Sequence, residues 1–364
     1  MDIATLRGRL FSNFNRNFRI LSRLLLIFSV VLTTCVPYAF ATSASSASGP
    51  PSAFQVTPDV SLSRITGTFI QYQSWMMQLD EKQWNLELSS MQSAGIDTII
   101  IQWLKSDKFR FFPVRAQGND PTEIILKFAD SHHIKVVLGT QFDKNWWNSW
   151  DDSDFQAKAL REGSSFAKSV LKRYKSHPSF VGWYIPYELG DFDFDDDELR
   201  GLKTFLHNYA ANLHQLSARK YQILASTFFE GKLSPSAVQD TYSQILKSSG
   251  IDIVMIQDGV GARNWTTPLA DKLVPYFAAF RRAAGINHIR TWSVVESFSN
   301  GKDVNGVPQK RPPAEISRLN EQLAVQATIH PEKTITFDFF HYMSPFRGEQ
   351  QKLLFQNYVK EIGK

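Results

Sequence analysis

A chain of 364 residues, 43% hydrophobic and 13% aromatic, buries a large core and is neither disordered nor fibrous. Its formal charge of +5 comes mostly from the first 41 residues, where Arg7, Arg9, Arg16, Arg19 and Arg23 face Asp2 alone; the remainder is near neutral, and no nucleic-acid partner is expected. The single cysteine, Cys35, lies in that same segment, so disulfide bonds contribute nothing to the rest of the chain.

The basic leader precedes the apolar run "LLLIFSVVLTTCVPYAFA", which closes on Ala39-Phe40-Ala41. Residues 1–41 are therefore expected to be a signal peptide, sending the protein to the periplasm or out of a bacterial cell. Leu24 to Ala41 also reaches the roughly 18-residue lower limit of a membrane span, so a membrane is a partner only if the leader is retained as an anchor. Pro37 and the small-residue exit favour cleavage. Residues 42–63, rich in Ser, Ala and Pro without hydrophobic period, read as a linker.

From residue 64 to 364, short β-branched or aromatic runs alternate with longer amphipathic stretches. The predicted strands are 66–71, 98–103, 135–142, 180–188, 222–229, 252–258, 291–298 and 334–340. They are almost continuously apolar, as strands covered on both faces must be. Helices are predicted between them, one opening on Asp195, Asp196, Asp197 and Glu198, which suit the positive end of a helix dipole. Gly95, Gly250 and Gly285 are expected to close helices in the left-handed conformation. Eight such units predict a (β/α)8 TIM barrel, an α/β fold in one domain after the leader and linker. The alternative is an open parallel sheet with an extra lobe, but no Gly-rich phosphate turn follows the first strand.

In this fold the site gathers at the C-terminal ends of the strands. Those ends carry carboxylates, amides and indoles. Substrate contacts are expected from Gln71, Trp75, Gln102, Trp103, Gln141, Trp146, Trp147, Tyr187, Gln257, Asp258, Asp338 and His341. Sugar rings pack apolar C–H faces on aromatic rings and pair hydroxyls with carboxylates and amides, so a carbohydrate partner is expected. Trp84, Trp183 and Trp292 are expected in the core instead, and Asp338 is equally consistent with a buried, hydrogen-bonded aspartate.

Glycosidic cleavage needs two carboxyl groups, one protonated and one ionised. Glu188, at the mouth of the apolar run "VGWYIPYEL", is the candidate acid, because burial raises a carboxyl pKa. Glu296, in "WSVVESF", is the candidate nucleophile. Asp258, in "IQDGVGARNW", is a third carboxylate able to orient substrate or replace one of the pair, with Gly259 and Gly261 expected to loosen the loop after it.

The segments "GTFIQ", "GIDTIIIQW", "GWYIPYEL" and "VMIQDGVG" resemble an uncharacterised family of secreted bacterial barrels, a domain of unknown function regarded as glycoside-hydrolase-like. More distantly, the placement of Glu188 and Glu296 resembles the clan of retaining β-glycosidases with glutamates on strands four and seven. That likeness implies acid/base catalysis by Glu188 and nucleophilic attack by Glu296. The clan's asparagine before the acid/base is here Tyr187, and its arginine at the end of strand two is replaced by Gln102 and Lys105.

The expectation is thus a glycoside hydrolase, of the retaining type, acting on an oligo- or polysaccharide in the envelope or outside the cell. The alternative is a barrel that binds glycans in envelope or exopolysaccharide assembly without cutting them. No cofactor and no metal are expected: no histidine pair has zinc-protease spacing, and the acidic run Asp191, Asp193, Asp195 lacks the glycine and glutamate of a calcium loop.

Overall fold

A computed structural model of the protein describes residues 62–106, 110–112, 120–266, 268–300 and 311–362. The expected signal peptide and all but the end of the expected linker lie outside these residues. Eight strands form a closed, all-parallel barrel in sequence order: β1 Ile65–Ile70, β2 Thr98–Ile101, β3 Lys135–Gly139, β4 Phe180–Leu189, β5 Gln222–Thr227, β6 Ile253–Gln257, β7 Arg290–Glu296 and β8 Thr334–Phe337. The barrel closes through parallel pairing of β1 with β8. A long helix follows each strand: α1 Glu81–Ser93, α2 Pro121–His132, α3 Ser153–Tyr174, α4 Asp196–Leu216, α5 Pro235–Leu246, α6 Ala270–Ile286, α7 Ile316–Ile329 and α8 Glu349–Ile362. The open-sheet alternative is excluded. Among the described residues no helix is long and apolar enough to cross a membrane.

Helix starts follow the local chemistry. Asp80, Asp120, Asp152, Asp195 and Ser234 each accept first-turn backbone N–H groups, satisfying donors the helix cannot satisfy itself. Gly95 and Gly250 adopt positive φ as expected, +87° and +76°. Gly285 does not: α6 continues to Ile286, and His288 takes the left-handed position with φ +58°. The helix keeps its register through Gly285 because Ala283 and Ala284 are buried beside it.

The pleat divides the core in two. Phe69, Ile100, Val137, Tyr184, Leu224, Met255, Val294 and Ile335, one per strand, join Ile253 and Trp292 in a cluster filling the barrel. Residues of opposite parity, such as Ile101, Leu138, Ile185, Ala225, Ile256 and Val295, pack outward against the helices. Trp84, Trp183 and Trp292 are buried in the core, as their surroundings predicted.

Candidate active site

A cleft of about 460 Å³ opens at the C-terminal end of the barrel. Its lining follows from the pleat. Two residues beyond the interior layer come Gln71, Gln102, Pro186, Gln257, Glu296 and Phe337, and one pleat further come Glu188 and Phe228. Trp103, Phe142, Trp147, Glu230, Ala262, Arg263, Phe298 and Arg311 complete the walls from the loops. Glu188 and Glu296 thus share one hollow.

β4 reaches further into the cleft than its neighbours because it bulges. Ile185 pairs with Ala225, and the next pairing is Leu189 with Thr227, so four residues of β4 span two of β5. Pro186, which has no N–H to give a ladder, sits inside the bulge. The two extra residues preserve side-chain parity, and Glu188 faces inward above Tyr184. Tyr184 Oη donates to Glu188 Oε1 at 3.4 Å and accepts from Ser226 Oγ at 2.6 Å, and Ser226 Oγ in turn accepts from Gln257 Nε2. Burial raises the Glu188 pKa, opposed by hydrogen bonds from Gln257, Tyr184, Ser226 and Gln102. None of these four carries a charge.

Glu296 is held on every side. Its Oε2 accepts the Ala262 N–H at 2.6 Å, its own N–H donates to Asp258 Oδ1 at 3.3 Å, and its carbonyl accepts from Arg318 and Gln322 of α7. Burial, and then the negative charge of Asp258, pushes its pKa up to about 7, against Ala262, Arg263 and Arg311. Asp258 is itself fully buried and raised by burial, with Gln322 Nε2 donating to Oδ2 at 2.6 Å and Val260 N–H to Oδ1. Such a raised group costs stability as it ionises: the folded state holds the proton between the ordinary value of 4.5 and about 7 while the unfolded chain has lost it, so stability falls with rising pH across that window. Glu296→Gln is accordingly expected to raise Tm at pH 8 while changing it little at pH 4; a Tm loss of equal size at both pH values in thermal melts would contradict the shift.

The loop after β6 turns on two glycines, and they tighten it rather than loosen it. Gly259 has φ +64°, a left-handed conformation that suits glycine. At Gly261 a Cβ would lie 2.0 Å from the Phe298 carbonyl oxygen and 3.2 Å from Glu296 Cβ. This contact, with Asn300 N–H donating to the Gly261 carbonyl and Asn300 Nδ2 to that of Ala262, presses the Val260–Arg263 turn onto the end of β7 and aims the Ala262 N–H at Glu296.

Of the expected contacts, Gln71, Gln102, Trp103, Trp147 and Gln257 line the cleft beside Glu188 and Glu296. Tyr187 does not: its parity turns it outward, where it is buried against Trp146, Phe142, Phe205 and Tyr209. Trp146 is buried with it and donates Nε1 to the Glu188 carbonyl at 2.9 Å, bracing the bulge from behind. Asp258 lies beneath Glu296 and outside the lining. Gln141 is engaged by Lys105 and Glu162. Asp338 caps the short Phe339–Tyr342 helix and bonds His341, which packs on Trp75; none of these three lines the cleft. The acidic run is structural: Asp191 accepts from the backbone N–H groups of Glu230, Lys232 and Leu233, joining two loops, and Asp195 caps α4. Among the described residues no three His, Cys, Asp or Glu side chains group as a metal site would need.

Sequence reasoning left out Phe142, Pro186, Phe228, Glu230, Ala262, Arg263, Phe298, Arg311 and Phe337 as site residues. Parity alone points to Pro186, Phe228 and Phe337. Arg263 and Arg311 come from loops without periodicity, and no local signal marks them.

The profile of a protein family described as "Domain of unknown function (DUF4434)" matches residues 65–348. The Uncharacterized protein YbcH of Escherichia coli (strain K12) is 26% identical over 262 residues, 70% of this chain and 83% of that protein. A crystal structure from Bacteroides thetaiotaomicron VPI-5482, of a protein provisionally designated an alpha-L-fucosidase, superposes with a TM-score of 0.69 at 22% identity, over 86% of this chain and 99% of that one. Xylanase B from Clostridium stercorarium F9 superposes with a TM-score of 0.46 at 11% identity, over 76% and 86%.

Proposed function

The chain belongs to the DUF4434 family, and on the chemistry of its cleft we propose that it hydrolyses glycosidic bonds with retention of configuration, in the envelope or outside the cell. The supporting observation is that Glu188 and Glu296 line one hollow whose remaining lining is mostly amides, aromatic rings and two guanidinium groups, the one other carboxylate, Glu230, being paired with Arg263. Glu188, surrounded by uncharged donors, is the proton donor to the leaving oxygen. Glu296, facing a backbone N–H with Arg263 and Arg311 in its field, is the carboxylate that attacks the anomeric carbon. Once the glycosyl ester forms, Glu188 as carboxylate takes a proton from the attacking water, returning both groups to their starting states. Gln71, Gln102 and Gln257 supply hydroxyl partners, and Trp147, 45% exposed, offers a ring face to a sugar.

Incubation with a panel of bacterial and plant polysaccharides, reading new reducing ends and the anomer first released by NMR, tests the proposal. Release of the retained anomer is expected. Release of the inverted anomer would discard the nucleophile, and binding without release would leave a glycan-binding barrel.

The pH profile follows from the same roles. Glu296 must be ionised to attack, so kcat/KM is expected to fall on the acid side as pH drops through about 7. Asp258→Asn removes a negative charge beside it, lowers its pKa and moves that acid limb to lower pH, at a stability cost of about 1–3 kcal/mol because one of the donors now facing Asp258 will meet an amide N–H instead. A limb that stays in place would show that Asp258 exerts no charge on Glu296.

A further inference from the structure

The two sides of the cleft differ in chemistry. On the β2–β3 side Trp103 and Phe142 stack at 5.4 Å, with Trp147 on the same rim. On the β5–β7 side the wall is cationic. Arg263 and Lys232 both pair with Glu230, at 2.9 and 2.5 Å, so two cations share one carboxylate. Arg311 lies above the Phe298 ring, its guanidinium carbon 4.6 Å from the centroid. Among the described residues no carboxylate comes within salt-bridge distance of it, although Glu296 lies in its field and Tyr342 within its reach. Lys232 lies outside the lining, so, leaving aside Glu188 and Glu296, the wall carries two cations, Arg263 and Arg311, against one anion, Glu230.

We propose that the cleft takes an acidic glycan, the anionic group of one sugar residue docking on Arg311 with Arg263 beside it. The proposal rests on the reading of the cleft as a glycosidase site and specifies its substrate class. A planar guanidinium offers paired N–H donors that match a carboxylate or sulfate, and Phe298 beneath it restricts its orientation before any ligand arrives. A neutral glycan would leave that donor fork to water. The cost of desolvating a sugar carboxylate is offset by the wall's excess positive charge, and the aromatic rim opposite takes the C–H face of the neighbouring residue.

Calorimetry on the Glu188→Gln variant, which binds without turning ligand over, tests this with oligogalacturonate, oligomannuronate and hyaluronan oligomers, each beside its methyl ester, and with chondroitin sulfate beside its desulfated form. At least one acid is expected to bind about tenfold more tightly than its neutral or desulfated counterpart. Adding Arg311→Gln should erase that gap, Arg311→Lys should keep part of it, and high salt should narrow it. A preference confined to the sulfated form assigns a sulfate ester; one held by the uronates assigns a carboxylate. Esters binding as well as acids, Arg311→Gln weakening both alike, or no acid bound at millimolar concentration would overturn the proposal, equal weakening marking Arg311 as a support for Glu296. The two readings fail separately: cleavage confined to neutral glycans removes this one alone, whereas tight acid binding with no cleavage by the wild type removes hydrolysis alone.

Discussion

Glu188→Gln and Glu296→Gln are each expected to lower kcat about 10²–10⁴-fold, the range contributed by a positioned proton donor and, at least, by the nucleophile. Glutamine keeps the shape and the hydrogen bonds of both sites, since an amide oxygen still accepts from Tyr184 at one and from Ala262 at the other, so the loss is chemical. The two variants should be separable. A glycoside with a nitrophenolate leaving group needs no protonation, and its bond cleavage should recover largely in Glu188→Gln and not in Glu296→Gln. Glu296→Ala opens space beside the anomeric carbon, and azide should restore turnover there, giving a glycosyl azide of inverted configuration. Substitutions at both positions that leave polysaccharide turnover intact would remove the proposed mechanism while leaving the cleft.

Gly261→Ala is expected to damage the site without touching a charged group. A methyl group 2.0 Å from the Phe298 carbonyl cannot be accommodated, and because the obstacle is backbone the turn itself must move. Overpacking of this kind costs about 1–3 kcal/mol of stability. The larger consequence is at Glu296, where the Ala262 N–H bond at 2.6 Å favours the anion. Withdrawing that donor raises the Glu296 pKa further, so the acid limb of kcat/KM should move to higher pH and the rate near neutrality should fall about tenfold, the value of roughly one charge-assisted hydrogen bond. Pairing thermal melts with pH profiles separates the two effects. A variant that loses stability with an unmoved acid limb would show that the turn is structural and does not tune Glu296.

Much of the fold was legible in the chain. Eight apolar runs alternating with eight amphipathic ones leave a closed parallel barrel as the economical way to cover both faces of every strand, and caps such as Asp80, Asp120 and Ser234 are written in adjacent residues. Where the reading failed it missed parity or packing. Tyr187 stands next to Glu188 in sequence and on the opposite face of the strand. Gly285 resembles Gly95 and Gly250, yet α6 runs through it.

By itself, then, the sequence determined the repeating unit, the order of the strands and the two glutamates near their C-terminal ends, because each depends on neighbours within a few positions; the ends themselves were overrun by up to three residues, as at β3 and β8. Tertiary structure alone decided which rim residues meet. Closure of the barrel and the bulge before Glu188 bring Gln71, Glu188, Glu296 and Arg311 to one hollow. Those residues are far apart in the chain, and no local pattern encodes which loop bends over which strand. The same closure buries Asp258 under Glu296 and Trp146 behind Glu188, turning two expected sugar contacts into the supports of the two acids.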